Sequence, residues 1–193
     1  MTDDPILKVA LAAAQAGAAI AKRYFYDLAA ADIHVKRSAK GDQGLVTRAD
    51  IESERAIVAA IREHFPDHQF LAEEEHAGER TGDAEHLWII DPIDGTNNFA
   101  AAIAQFSVSV AYYRGGRPHC GVIINPATGT VCHAVQGGGA WVDGTRSRVN
   151  AFAAIDEAIV GCGFYYDRGE LMRQTLHAVE RLFCSNVRGI RRF

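Results

Sequence analysis

The sequence predicts an α+β fold in which an antiparallel sheet is followed by an α/β layer. Between residues 106 and 142, short apolar runs alternate with glycine-containing turns, as in a meander of antiparallel strands. From residue 158 onward, an apolar run, a helical pattern and a second apolar run follow one another, which is the order of an α/β unit. We therefore expect one unit over residues 1–150 and the start of a second over 151–193. Because the chain stops within the last predicted strand, we expect that second unit to be incomplete.

The composition is that of a globular chain. Its 193 residues are 48% hydrophobic and 23% charged, which provides enough apolar mass for a core and argues against disorder. The net charge of -4 does not indicate a nucleic-acid partner, although a local basic patch stays open. The four cysteines show no CxxC spacing, which favours reduced thiols in the cytoplasm over a zinc site. No stretch is predicted to span a membrane.

Two helices are predicted in the first third of the chain. Asp4 followed by Pro5 is a typical helix start, and apolar residues then recur at helical spacing towards Leu28. The second helix is expected to begin at Thr47 and to end at Pro66. The first is expected to be a packing helix, and the second carries one apolar face.

Three apolar runs before the meander predict strands at Ile33–Lys36, Gln69–Ala72 and Leu87–Ile90. The second run leads directly into Glu73 and the third into Asp91. If these two strands are neighbours in one sheet, their ends bring the two carboxylates together. A run of acids is usually a solvated face, but acids clustered in this way repel one another unless cations neutralise them or some stay protonated, so a metal site is also a candidate.

The segment from Asp91 to Phe99 is expected to turn and begin a helix. Pro92 cannot donate to a strand ladder and is predicted to end the strand, and Asp94 is predicted to be the helix N-cap. Two carboxylates beside a helix N-terminus suit Mg²⁺-assisted phosphoryl transfer. Taken alone, these residues also fit an ordinary turn and capped helix, and Asp50 also fits an acid that satisfies a helix dipole.

Longer motifs resemble the inositol monophosphatase family. They are LVTRAD at 45–50, AEEE at 72–75, WIIDPIDGTNNF at 88–99, QFSVSVA at 105–111, GGGAWVDG at 137–144 and GFYYDRG at 163–169. The resemblance implies a layered α-β-α-β-α sugar-phosphatase-like fold. It also implies a cytoplasmic, lithium-sensitive homodimer that uses Mg²⁺ to hydrolyse inositol monophosphate or a related sugar or nucleotide phosphate.

The resemblance also implies roles for individual residues. The implied ligands of two or three Mg²⁺ ions are Glu73, Asp91, the carbonyl oxygen of Ile93, and Asp94. The implied contacts to the phosphorylated substrate are Glu73, Ile93, Asp94, Gly95 and Thr96. The implied catalytic pair is Asp50 and Thr96, which together would orient the attacking water. Lys36 and the loop after it match a flap over this site.

The sequence departs from the family at several positions. Gly44 stands where the family usually has an aspartate, and Tyr165 replaces a usual proline. The alanine-rich stretch from Ala100 to Ala104 is expected to extend the helix that contains Phe99. The family's later Trp-Asp motif, which supplies a further carboxylate, is not within residues 1–193.

A second function stays open beside the enzyme. Some bacterial relatives engage RNA or the transcription machinery, so the resemblance also allows a non-catalytic or moonlighting binding partner. The intact acids and Thr96 favour the phosphatase.

Overall fold

The computed structural model describes residues 4–37, 43–75, 84–152, 154–163 and 169–192. Internal contacts divide the chain into two units. One comprises Met1–Lys36 with Gly44–Ser147, and the other comprises Arg37–Gln43 with Arg148–Phe193. The boundary predicted near residue 150, as a boundary between domains, stays a prediction. Lys36 belongs to a strand, but its side chain lies outside the described part of the structure, as do the flap residues 38–42 and Tyr165.

Helices α1 (Pro5–Phe25) and α2 (Arg48–Arg62) begin where the sequence predicts. Oδ1 of Asp4 accepts the first free N–H groups of α1, at 2.9 and 3.2 Å. Thr47 is the N-cap of α2, and Asp50 returns a hydrogen bond to the Thr47 backbone, which completes a capping box. Helix α1 ends three residues before the predicted Leu28, which instead starts a short 3-10 helix.

The two helices pack closely because Gly17 of α1 has no side chain. A Cβ atom at this position would lie 2.6 Å from Cδ1 of Ile57 on α2, which is too close for any real contact. The Gly17 carbonyl also accepts a 3.1 Å hydrogen bond from the hydroxyl of Ser53. This close approach lets α1 and α2 form one layer against the sheet.

Helix α1 is also long and apolar enough, by length and hydropathy, to cross a membrane, so the prediction that no stretch reaches this limit is wrong. Half of its most apolar stretch is buried inside the chain. It contacts α2 and three strands of the sheet. The apolar character of α1 is therefore explained by its place in the core.

The main sheet has seven strands in sequential order. They are β3 (Gln69–Ala72), β4 (His86–Asp94), β5 (Ser107–Arg114), β6 (Arg117–Ile124), β7 (Val131–Val135), β8 (Gly139–Val142) and β9 (Thr145–Ser147). Strands β3 and β4 are parallel, and each later pair is antiparallel. The predicted meander is therefore present. Strands β1 (His34–Arg37) and β2 (Gln43–Val46) form a separate two-stranded sheet.

The core lies between the helices and one face of the sheet. Its largest members are aromatic residues on the strands and aliphatic residues on α2 and the sheet. Those with less than 2% of their surface exposed include Phe70, Trp88, Tyr112, Ile57, Ile61 and Val110. This buried layer fixes the position of α2 relative to β4, and so relates the acids on the two elements.

The second unit contains β10 (Ile159–Cys162), α4 (Glu170–Cys184) and β11 (Gly189–Arg192). The two strands are parallel, with Ile159 paired to Gly189 and Cys162 to Arg192. A strand, a helix and a parallel strand in this order agree with the predicted α/β layer.

Candidate active site

The candidate site lies where β3 and β4 end side by side. The last pair of their parallel ladder joins Ala72 to Ile90. Glu73 follows the first of these residues and Asp91 follows the second, so the two acids leave the ladder at the same level. The sequence-based expectation that neighbouring strands bring these carboxylates together is therefore met by the register.

Strand β4 does not end at Asp91 as predicted, but continues through Pro92 to Asp94. Asp91 pairs with Ser109 of β5, and Asp94 pairs with Ser107, so β4 advances three residues while β5 advances two. This is a β-bulge. Proline is tolerated there because a bulged residue need not donate to the ladder. The bulge leaves Asp94 exposed beside the half-buried Asp91.

Gly95, and not Asp94, is the N-cap of helix α3 (Thr96–Ala100), and no side chain caps this helix. The predicted N-cap is wrong because Asp94 still belongs to β4. Gly95 has φ of +98°, and a Cβ atom there would lie 3.3 Å from the carbonyl oxygen of Gln105. Both the conformation and the close backbone therefore favour glycine at this position.

Helix α3 does not extend through the following alanines, so that expectation is also wrong. Ala102 adopts φ of +58°. Its N–H bonds to the carbonyl of Phe99 at 3.1 Å, and the N–H of Ile103 bonds to the carbonyl of Asn98 at 2.8 Å. This pair of bonds is a Schellman motif, which ends the helix after a single turn and a half.

Asp50 is 2% exposed and is held from two sides. Its Oδ2 atom accepts hydrogen bonds from the N–H of Thr47 at 2.8 Å and from the hydroxyl of Thr47 at 2.6 Å. Its Oδ1 atom lies 3.5 Å from the hydroxyl of Thr96, which is the outer limit of a hydrogen bond. The Thr96 hydroxyl is closer to the carbonyl oxygen of Ile93, at 3.1 Å.

The carboxylates of the site perturb one another. Burial, followed by the charges of Glu73 and Asp94, raises the pKa of Asp91 to about 7. Burial also raises the pKa of Asp50 to about 6, against the lowering effect of its hydrogen bonds from Thr47. Negative charge is therefore concentrated at this edge of the sheet, where a cation or a proton would relieve it.

The donor chemistry fits Mg²⁺. Carboxylate and carbonyl oxygens are its preferred protein ligands, and it is usually held through one or two carboxylates together with waters and substrate phosphate. Among the described residues, no three His, Cys, Asp or Glu side chains converge as ligands of one ion.

One functional candidate, Glu54, is absent from the sequence-based predictions. It lies on α2 four residues after Asp50, has no exposed surface, and accepts backbone N–H groups from Glu74 and Glu75. The sequence feature that could have identified Glu54 is an acidic residue on the apolar face of a helix, one turn after another acidic residue.

Comparison with known proteins finds relatives that match most of this chain. Residues 2–193 match the Inositol monophosphatase family. The chain is 41% identical over 129 residues to fructose-1,6-bisphosphatase/inositol-1-monophosphatase from Thermotoga maritima, covering 66% of this chain and 48% of that protein. It is 37% identical over 170 residues to Nus factor SuhB from Haemophilus influenzae, covering 88% of this chain and 61% of that protein.

The fold is similar to that of a solved relative. The crystal structure of extragenic suppressor protein suhB from Bartonella henselae superimposes with a TM-score of 0.87 at 30% identity, covering 98% of this chain and 70% of that one. The chain thus spans about half to two thirds of the length of the curated relatives it matches.

Proposed function

Because this chain belongs to the inositol monophosphatase family, we propose that it hydrolyses a phosphate monoester with the aid of Mg²⁺. The observation that carries the proposal is the register of β3 and β4, which sets Glu73 beside Asp91. Burial, followed by the charges of Glu73 and Asp94, raises the pKa of Asp91, and a bound cation would favour its ionised form. A carboxylate pair of this kind, next to a turn that begins a helix, suits phosphate chemistry.

In this proposal the ligands of two or three Mg²⁺ ions are Glu73, Asp91, the carbonyl oxygen of Ile93, and Asp94. The bulge at Pro92 supports this assignment, because it places a backbone carbonyl and a second aspartate just beyond Asp91. When bound, Mg²⁺ would neutralise phosphate charge and make water a better nucleophile at neutral pH.

Thr96 and Asp50 are proposed to orient the attacking water. The Thr96 hydroxyl carries one hydrogen and can also accept one, so it can hold a water while donating to Asp50 or to Ile93. Asp50 is fixed by its two bonds from Thr47 and does not need to move. Its pKa of about 6 suits a group that accepts hydrogen bonds near neutral pH.

The substrate contacts are proposed to come from the same turn. The N–H groups of Gly95 and Thr96 precede the first hydrogen-bonded turn of α3, in which Asn98 and Phe99 donate to the Gly95 carbonyl. N–H groups at this position have no partner within their helix and can bind phosphate oxygens. Side chains on loops would then select the alcohol part of the substrate.

The test is phosphate release from a panel of monoesters. We would compare inositol monophosphate, fructose 1,6-bisphosphate, a hexose monophosphate and a nucleoside monophosphate, each with Mg²⁺ and with a chelator. We expect release from at least one inositol or sugar phosphate, and only with the metal. Release that persists in the chelator, or an absence of release from the whole panel, would refute the proposal.

The names of the relatives support a second candidate function, a partner of the transcription machinery. Several relatives are named Nus factor SuhB, and one of them covers 88% of this chain. Binding to RNA or to RNA polymerase, measured with the wild type and with Asp94→Asn, separates the two functions. Binding that survives in a variant without turnover would show a role independent of catalysis. We propose a cytoplasmic homodimer in either case, which light scattering of the purified protein would test.

A further inference from the structure

Glu54 is a fully buried glutamate whose carboxylate reaches a different segment of the chain. None of its surface is exposed. Its Oε2 atom accepts the N–H of Glu74 at 2.7 Å, and its Oε1 atom accepts the N–H of Glu75 at 2.9 Å. Glutamate is rarely buried to this degree unless its charge is satisfied, and here two backbone donors satisfy it.

The segment that Glu54 holds carries a proposed metal ligand. Strand β3 makes its last ladder pair at Ala72, and residues 73–75 follow it outside any strand. The carboxylate of Glu54 bonds directly to the backbone of this segment. The bonds to Glu54 fall on the two residues directly after Glu73.

Helix α2 therefore contacts both sides of the proposed site. Asp50 and Glu54 are four residues apart and lie on one face of the helix. Asp50 faces the hydroxyl of Thr96 after β4, and Glu54 faces the backbone after β3. A rigid helix that holds both segments is a means of fixing their separation.

We propose that Glu54 is a positioning residue, whose carboxylate fixes the backbone at Glu74 and Glu75 and thereby holds the Glu73 side chain beside Asp91. The inference rests on the proposed function, because it gives Glu54 a role in Mg²⁺ binding. It adds a residue that acts through hydrogen bonds to the backbone and does not touch substrate.

Two substitutions separate position from charge. Glu54→Asp keeps the charge but shortens the side chain by one methylene, so its carboxylate withdraws from both N–H groups. Glu54→Gln keeps the length but places an NH₂ group, which cannot accept, against one of them. A positioning role predicts that both variants are impaired, whereas a purely electrostatic role predicts that only Glu54→Gln is.

Arg55 provides a matched control on the same segment. Its guanidinium bonds to the Glu75 side chain at 2.6 and 2.9 Å, from an exposed position next to Glu54 in sequence. Arg55→Met removes a surface contact to this segment but leaves both backbone bonds to Glu54 in place. Exposed ion pairs of this kind contribute little to folding stability.

The first measurement is the Mg²⁺ concentration that gives half-maximal phosphate release. We expect it to rise by about tenfold or more in both Glu54 variants, the usual size of effect for a group that supports a metal ligand, with a smaller change in kcat at saturating Mg²⁺. Arg55→Met should stay within about twofold of the wild type, as an exposed pair predicts. If Glu54→Asp needs no more Mg²⁺ than the wild type for half-maximal release, the positioning role is overturned.

A second measurement does not depend on turnover. In the wild type, the amide protons of Glu74 and Glu75 should exchange slowly with solvent, and their resonances should shift in both variants. Calorimetry should show weaker Mg²⁺ binding in the variants. Fast exchange of both amides in the wild type would overturn the inference even if the variants fail to fold. If the wild type binds Mg²⁺ but releases no phosphate, the proposed function fails, and calorimetry still decides the role of Glu54.

Discussion

The carbonyl oxygen of Ile93 accepts a 3.1 Å hydrogen bond from the hydroxyl of Thr96. The same hydroxyl lies 3.5 Å from Oδ1 of Asp50, and its single hydrogen can serve only one of these acceptors at a time. A cation on the Ile93 carbonyl would draw electron density from that oxygen and make it a weaker acceptor, which would favour donation from the hydroxyl to Asp50. The proposed ligand and the proposed catalytic pair are therefore coupled through one proton.

The first prediction concerns this hydroxyl. Thr96→Val removes it with little change in shape, and we expect kcat to fall by about 10²- to 10⁴-fold, the range for loss of a group that positions a proton. Thr96→Ser keeps the hydroxyl and should retain most of the activity. Steady-state phosphate release at saturating Mg²⁺ checks both. A Thr96→Val enzyme within a few-fold of the wild type would remove Thr96 from the mechanism.

The second prediction concerns Asp94, which lies exposed at the end of β4 and caps no helix. Asp94→Asn should therefore leave thermal unfolding unchanged. We expect turnover to fall by more than about a hundredfold, because groups one step removed from a metal already cost 10- to 100-fold when altered. Activity close to wild type at saturating Mg²⁺ would contradict the assignment of Asp94 as a ligand.

The third prediction concerns the effect of Asp91 on the folding stability of the metal-free protein. Its pKa is raised to about 7 by burial and by neighbouring acids, so the folded state holds this proton more tightly than the unfolded state does. The stability that this provides is fully present below the ordinary pKa of 3.8 and is lost as pH rises through about 7. In a chelator at pH 7.5, Asp91→Asn should consequently be more stable than the wild type, by about 1 kcal/mol or ~3 °C in Tm.

Thermal unfolding between pH 5 and 8 checks this prediction. The stability of Asp91→Asn relative to the wild type should increase with pH in the chelator. It should decrease when Mg²⁺ is added, because the cation stabilises only the wild type. Turnover of the variant should be lost at every pH. A wild type that is the more stable of the two at pH 7.5 in the chelator would show that the clustered charges are not in conflict.

The fourth prediction follows from family membership. Lithium should inhibit phosphate release by occupying a Mg²⁺ position, and Ca²⁺ should inhibit because its looser coordination misplaces the water. Rates measured against each ion at fixed Mg²⁺ check this, and excess Mg²⁺ should relieve the inhibition. Indifference to both ions at millimolar concentration would argue against metal binding at Glu73 and Asp91.

The sequence predicts the two strands that lead into the candidate site, because local pattern decides their structure. The apolar runs before Glu73 and Asp91 define two strands, and their parallel pairing brings the acids together. The predicted strand end at Pro92 and helix N-cap at Asp94 are wrong, because the bulge depends on pairing with β5 and not on local preference. Local rules treat a proline after a strand as a stop, whereas a partner strand can accept it as a bulge.

Glu54 shows a second limit of prediction from sequence. Its partners are backbone N–H groups 20 and 21 residues away, and a backbone donor leaves no mark on the side-chain sequence. The end of α3 is a similar case. Alanines favour helix, but Ala102 adopts a left-handed conformation because two backbone bonds close the helix there.

The last prediction concerns stability away from the candidate site, at the link between Asp4 and His119. Oδ1 of Asp4 caps α1, and Oδ2 lies 2.8 Å from Nε2 of His119 on β6, so one carboxylate joins the first helix to the sheet. Burial tends to raise the pKa of Asp4, but hydrogen bonds from the N–H groups of Leu7 and Ile6 and from His119 lower it overall. A lowered folded pKa means that this stability is present above pH 3.8 and is lost as pH falls through the folded pKa.

Three variants separate the cap from the charge in this link. Asp4→Ala loses both and should cost about 1–2 kcal/mol of unfolding free energy. Asp4→Asn keeps a capping oxygen and should cost about half as much, and its stability should fall less steeply than that of the wild type below pH 4.

His119→Gln should lower the free energy of unfolding at pH 7 by the same amount as Asp4→Asn. The loss in the double variant should be smaller than the sum of the two single losses, because both substitutions remove one shared contact. Denaturant unfolding measures all of them, with phosphate release as the control, since the turnover of the folded protein should not change. Simple additivity of the two single variants would show that the 2.8 Å contact contributes nothing to stability.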